Sequence, residues 1–140
     1  MRLAQELNTL YYSLLFCELE TINRDPSQPR INYTSLLYLN FINYQENCTA
    51  TQLARCLNVS NGAVTLKIEE LVRQGLVERE RYDGDRRMYH LHLTQKGKER
   101  YLPFKSVLES FSVQIAKHFS AQDIDVFCRI ARTISAAIKI

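Results

Sequence analysis

Turn-forming residues are scarce in this chain. With 4 glycines and 3 prolines in 140 residues, and no low-complexity segment, there is little room for long irregular loops, which favours helices. A long apolar run is missing as well. The longest stretch without a charged residue, Ile31 to Gln45, is too short and too rich in asparagine to cross a bilayer, so no membrane span is expected. Glu6 interrupts the early apolar pattern, and no secretory leader is read there. The cysteines Cys17, Cys48, Cys56 and Cys128 lie far apart and form no C-x-x-C pair. Reduced thiols and a cytoplasmic location are expected. Enzyme signatures are absent too: no Gly-rich phosphate loop, no G-x-S-x-G, no H-E-x-x-H and no paired carboxylates in an apolar setting. Nothing recommends an enzyme, and no cofactor or metal is implied.

What is present is a chain 46% hydrophobic, enough for a real core and of a length for one domain, with or without an oligomerisation element. The net charge of +3 is unevenly placed. Between Thr49 and Arg100 there are 10 lysines and arginines against 7 acids, so the whole excess sits there and the rest is neutral. A mild local excess fits a nucleic-acid footprint and equally a solvated charged face.

That segment holds one short helix with clear ends, Ser60 to Gly75. The Ser60 hydroxyl suits an N-cap. Gly75 suits the left-handed residue past the C-terminus, with Leu76 closing back on Leu71. Val64, Ile68, Leu71 and Val72 form one apolar stripe. Ser60, Asn61, Ala63, Thr65 and Lys67 carry the small, polar or cationic side chains that approach base edges and phosphates. Just before it, Thr49-Ala50-Thr51-Gln52 is a capping-box pattern opening a helix with Leu53, Ala54 and Leu57 inward. Asn58 tolerates the left-handed turn and Val59 is expected to plug it. Helix, tight turn, apolar plug and second helix make a helix-turn-helix pattern.

On either side the chain reads as helices with seams. Leu3, Leu7, Leu10 and Leu14 run along a first helix, about Leu3 to Thr21, which Asp25-Pro26-Ser27-Gln28-Pro29 stops. A second helix, about Tyr33 to Gln45, is apolar over most of its circumference and is expected at the centre of the domain. After Gly75 the period becomes two. Leu76 to Tyr82 and Arg87 to Leu93 are strand-like and flank Asp83-Gly84-Asp85-Arg86, a hairpin signal. Such a hairpin is a wing, with Arg81 and the tip residue Arg86 placed for DNA, Arg86 in a minor groove. Thr94 caps a long helix, about Gln95 to Phe119, in which Pro103 makes a kink or marks the early turns. Ser120 caps a last helix, about Ala121 to Ile138. Phe104, Leu108, Phe111 and Ile115, then Ile124, Phe127, Ala131, Ile134 and Ile138, keep heptad-like spacing. These seams have too little to pack on within one chain, so a homodimer is expected over a monomeric bundle.

Thr49-x-x-Gln52-Leu53-Ala54-x-x-Leu57-x-Val59-Ser60, then Val64-Thr65, Leu71, Gly75-Leu76-Val77, Arg79, Asp85-Arg86-Arg87 and Leu91-x-Leu93-Thr94-x-x-Gly97, resembles the MarR (multiple antibiotic resistance regulator) family. The close match covers Thr49 to Gly97. The resemblance implies a mainly α winged helix-turn-helix with a small β-hairpin wing. It also implies one continuous domain in which residues 1–32 and 98–140 dimerise and residues 33–97 form the DNA-binding lobe. It implies a homodimeric regulator of transcription, a repressor, on a pseudo-palindromic duplex operator. Control would come from an oxidant or a small aromatic or phenolic effector. By analogy Asp85 orders the wing, and Arg86 or Arg87 touches DNA. Where the family often has arginine after Val-Thr, this chain has Leu66; either Lys67 substitutes for it or Leu66 meets a thymine methyl.

Two further residue types carry a sharp and a plain reading. Cys17, near tyrosines 11, 12 and 33 in sequence, is a peroxide sensor or a core filler, and the filler is favoured. His90 and His92 share a strand face but lack a third donor, which favours wing residues over metal ligands, and His118 is isolated. For the lobe as a whole, the competitor to DNA binding is a winged helix used for protein–protein contact.

Overall fold

The computed structural model describes residues 1–82, 84 and 88–138. Asp83, Asp85, Arg86 and Arg87, and with them the hairpin tip, lie outside the described residues. The elements are α1 (Arg2–Ile22), α2 (Tyr33–Tyr44), α3 (Ala50–Leu57), α4 (Asn61–Arg73), β1 (Val77–Arg81), β2 (Tyr89–Leu93), α5 (Gln95–His118) and α6 (Ala121–Ala137). They divide into two compact units, Met1–Phe104 and Lys105–Ile140.

The first unit is built around α2. Leu36, Tyr38, Leu39 and Ile42 are buried there, and Ser35 goes in with them although it is polar. Leu37 and Phe41, expected in the core, are only half-buried. Leu53 of α3, Val64, Ile68 and Leu71 of α4, and Leu91 and Leu93 of β2 complete one cluster. The end of α1 joins it through Ile22. Contact therefore groups α1 with the winged-helix elements, whereas the sequence reading set residues 1–32 beside 98–140.

Local chemistry sets the ends of the elements. Asn32 caps α2 by accepting from Ser35 N at 2.9 Å. The capping box at α3 is complete: Thr49 Oγ1 accepts from Gln52 N at 3.2 Å and Gln52 Oε1 from Thr49 N at 3.0 Å. β1 and β2 pair antiparallel with Val77 opposite Leu93 and Arg81 opposite Tyr89. Cys48 adds a third short edge, its carbonyl accepting from Leu91 N at 2.7 Å. The Cys48 side chain is wholly buried, and burial, then Cys56, pushes its thiol up to about 11. A thiol so protonated is an inert core residue.

Where the wing meets α5, the backbones come unusually close. Thr94 Oγ1 accepts from Gly97 N at 3.0 Å and donates to Gly75 O, while Thr94 N reaches Leu76 O at 3.0 Å. A Cβ on Gly97 would lie 2.2 Å from Leu76 O, so only glycine fits. Pro103 sits inside α5, just before the boundary between the units.

The second unit has no buried residue of its own among those described. Ser120 and Asp123 close a full capping box at the start of α6, and those hydrogen bonds hold the Asp123 carboxyl below its usual range. The seam residues Leu108, Phe111, Ile115, Phe127, Ile134 and Ile138 are exposed.

Candidate nucleic-acid interface

The turn between α3 and α4 fixes how α4 is presented. Asn58 adopts the left-handed conformation at φ 52 and ψ 49, as expected for a residue whose short polar side chain tolerates it. Val59 does not plug the turn; it is exposed, and its part is played by its backbone N–H, which donates to Ala54 O at 3.0 Å. Leu53 and Val64, both fully buried, are among the apolar residues that the two helices contribute to the core. Ser60 Oγ then accepts from Ala63 N at 3.1 Å and starts α4. At the far end Gly75 takes φ 73 and Leu76 N bonds Leu71 O at 3.0 Å, the expected left-handed stop.

With Val64, Ile68 and Leu71 buried, the rest of α4 is set by the helical period. Ser60, Asn61, Gly62, Ala63, Thr65, Leu66 and Glu69 are exposed. Leu66 is 69% exposed, far more than most leucines of the chain. The Thr65 hydroxyl donates back to Asn61 O at 2.9 Å, so its donor is spent within the helix. Lys67 departs from the sequence expectation. Its amine lies 2.8 Å from Glu70 Oε2 and 3.3 Å from Ser35 Oγ, and its side chain is only 17% exposed. A helical step of 100° per residue turns position 67 toward α2, and the buried Ser35 hydroxyl gives the amine a partner there.

The wing stands beside this face. Arg81 ends β1 exposed, and the exposed Arg79 lies with Thr51, Thr65, Met88 and Tyr89 around a groove of about 290 Å³ where α3, α4 and the wing meet. Leu91 and Leu93 face the core at a spacing of two, while Tyr89 at the strand end is exposed. His90 packs edge-on against Tyr82, with ring centres 5.2 Å apart. His92 Nε2 lies 2.8 Å from Glu80 Oε2, close enough to pair when protonated but without the alignment of a hydrogen bond. Among the described residues no three His, Cys, Asp or Glu side chains come together as a metal site. Sequence reasoning missed Glu69 and Arg79 as members of this face. Glu69 was recoverable from its spacing of three and four from Leu66 and Thr65.

Away from the interface, Cys17 is half-buried, its sulfur 3.9 Å from the Thr21 hydroxyl, and the resolved partner of Tyr11 is Tyr33. Glu18 is half-buried with its carboxyl pushed up by burial, against a lowering hydrogen bond from Asn40. The Tyr101 hydroxyl is buried with no hydrogen-bond partner among the described residues. Burial first, then Glu18 and Tyr44, push its phenol well above the ordinary range.

The sequence model described as MarR family matches residues 31–89. The transcriptional regulator AdcR of Streptococcus pneumoniae is 30% identical over 99 residues, covering 68% of this chain and 67% of AdcR. This chain belongs to the MarR family. The HTH-type transcriptional regulator YdgJ of Bacillus subtilis is 29% identical over 113 residues, covering 78% of this chain; the chain spans 66% of that relative's length, just under two thirds. Among solved structures, Streptococcus pneumoniae FabT in complex with DNA matches with a TM-score of 0.74 at 25% identity, covering 96% of this chain and 94% of FabT. This MarR-family chain thus has a winged helix-turn-helix fold, and the relatives it matches are named transcriptional regulators. Among the described residues no helix is long and apolar enough to cross a membrane.

Proposed function

We propose that this regulator binds duplex DNA sequence-specifically as a homodimer on an inverted repeat, and that it represses by blocking polymerase access. The observation that carries the reading is the bare N-terminal face of α4, with Ser60, Asn61, Ala63, Thr65 and Leu66 exposed beside Arg81 of the wing. Recognition helices use that end for base edges, and a two-fold dimer sets them about 34 Å apart, one duplex turn. FabT, similar in fold over nearly the whole chain, was solved with DNA, which supports the same use of this face. Arg86 and Arg87 are assigned to the minor groove and nearby phosphates, with Asp85 ordering the wing; Lys67 leaves the set because its amine is engaged.

The test is duplex affinity as a function of salt. Phosphate contacts release counterions, so log affinity should fall steeply with log salt. Arg86→Ala should weaken binding across sequences and flatten that slope by about one. Absence of both duplex binding and salt dependence would instead favour a protein-contact role for the lobe.

Release by a small phenolic effector is part of the same proposal. Its support is Tyr101, whose buried hydroxyl lacks a partner among the described residues, beside the half-buried Glu18. A carboxylate neighbour favours a phenolic donor over an aromatic acid, because like charges repel. Tyr101→Phe should leave operator binding intact and lower the response to phenol, read by mobility shift. The oxidant reading has less behind it: the polar partner within reach of Cys17 is the Thr21 hydroxyl, and Cys17→Ser should respond to cumene hydroperoxide as wild type does.

A further inference from the structure

The outward stripe of α4 has an unusual chemical make-up for a surface meant to meet a polyanion. Over its first three turns the exposed positions are Asn61, Gly62, Ala63, Thr65, Leu66 and Glu69, with no cation among them. The one lysine in that stretch is held inward by Glu70 and Ser35. Arg73, the next exposed cation, lies in the last turn, away from the end that enters the groove. Meanwhile Glu69 makes no hydrogen bond or ion pair among the described residues, and Leu66 is 69% exposed.

We propose that this helix reads its operator through Leu66 and Glu69, by a thymine methyl and a cytosine amino group, and not through a cation. The inference rests on the DNA-binding reading above and adds the base chemistry. In the major groove thymine alone offers a C5-methyl, and cytosine offers an N4 donor that a carboxylate accepts from. Burying a leucine against the methyl gains apolar contact and asks nothing of the phosphates. Glu69 works by contrast. Its carboxylate is repelled by the backbone wherever no amino donor faces it, so it penalises wrong sequences more than it strengthens the right one. Residues three apart on a helix are separated by ~4.5 Å along the axis. One base step rises ~3.4 Å. The thymine and the cytosine should therefore be neighbours or next but one in each half-site. The binding energy itself must come from the wing and other cations, which fits the excess of 10 lysines and arginines over 7 acids between Thr49 and Arg100.

The experiment selects duplexes from a randomised pool with the full chain, then replaces each thymine of the enriched duplex singly by deoxyuridine, which lacks the methyl. One position per half-site should lose about fourfold in affinity, since burying one methyl-sized group is worth about 0.8 kcal/mol and 1.4 kcal/mol is tenfold. Leu66→Ala should lose that discrimination and bind the two duplexes alike. Glu69→Gln should shift selection at the neighbouring position from cytosine toward adenine, which an amide reads, and should bind unselected duplex more tightly. Both side chains are exposed, so both variants should melt as wild type does. If deoxyuridine is neutral everywhere, or Leu66→Ala still discriminates, or Glu69→Gln selects the wild-type sequence, the assignment is overturned. If wild type enriches no duplex at all, the DNA-binding reading falls first and this one with it.

Discussion

The Lys67 amine is held at two points, Glu70 Oε2 at 2.8 Å and the buried Ser35 hydroxyl at 3.3 Å. Removing it orphans Ser35, which is 4% exposed, and an unpaired buried hydroxyl costs about 1 kcal/mol or more. Lys67→Ala should therefore lower the lobe's melting temperature and leave the selected operator sequence unchanged; a changed sequence preference would return Lys67 to the interface. Glu18 gives a second residue-scale prediction. Burial raises its folded-state pKa above the ordinary 4.5, so the folded state binds the proton more tightly than the unfolded one. Stability is then favoured below 4.5 and lost as pH rises through the raised value. Glu18→Gln, which keeps the shape and removes the charge, should melt higher than wild type at neutral pH, and the gap should close on acidification below 4.5. A gap that stays constant with pH would show that the carboxylate is not strained. At this scale the sequence was only partly legible. The caps at Thr49, Ser60 and Ser120 could be read because both partners lie within one helical turn. The fate of Lys67 could not, because its partner Ser35 is 32 positions away and polar.

The elements meet where glycine lets them, and the junction of β2, α5 and the end of α4 is the tightest. Leu93, Thr94 and Gly97 are one device: Leu93 anchors the strand in the core, Thr94 ties two backbones, and Gly97 admits the Leu76 carbonyl. The motif was visible in the sequence, but its cause was not, since a close approach between residues 21 positions apart leaves no local signature. Gly97→Ala places a Cβ 2.2 Å from backbone oxygen, where nothing flexible can yield. Overpacking of this kind costs about 1–3 kcal/mol. A matching loss in denaturant midpoint is expected, with duplex affinity falling in step as the wing shifts; a variant as stable as wild type would mean that α5 relaxes freely away from Leu76. Val59 shows the opposite case. Its apolar side chain invited a plug in the helix-turn-helix corner, yet it stays exposed while Leu53 and Val64 are buried on the two helices.

Taken whole, the chain exposes more apolar surface than one copy can leave in water. Leu3, Leu7 and Leu10 on α1, Leu108, Phe111 and Ile115 on α5, and Phe127, Ile134 and Ile138 on α6 are all exposed, at the heptad-like spacing read from the sequence. The second unit, Lys105–Ile140, buries no described residue completely. Apolar seams of this extent on each unit mark an interaction site, and a second copy supplies matching seams by symmetry. The solution mass should therefore be twice 16.4 kDa. Phe127→Asp combined with Ile134→Asp touches positions 57% and 37% exposed in one chain, so neither charge disturbs packing within it. Across a two-fold interface each charge is met by apolar side chains, and an unpaired buried carboxylate is costly. Sedimentation of the double variant should give 16.4 kDa with the winged-helix unit still folded. The full inverted repeat should then be bound no more tightly than one half-site, because the gain of the second site depends on the two α4 helices being joined. A double variant that still sediments as a pair, or that keeps its preference for the full repeat, would place the joint elsewhere on the molecule.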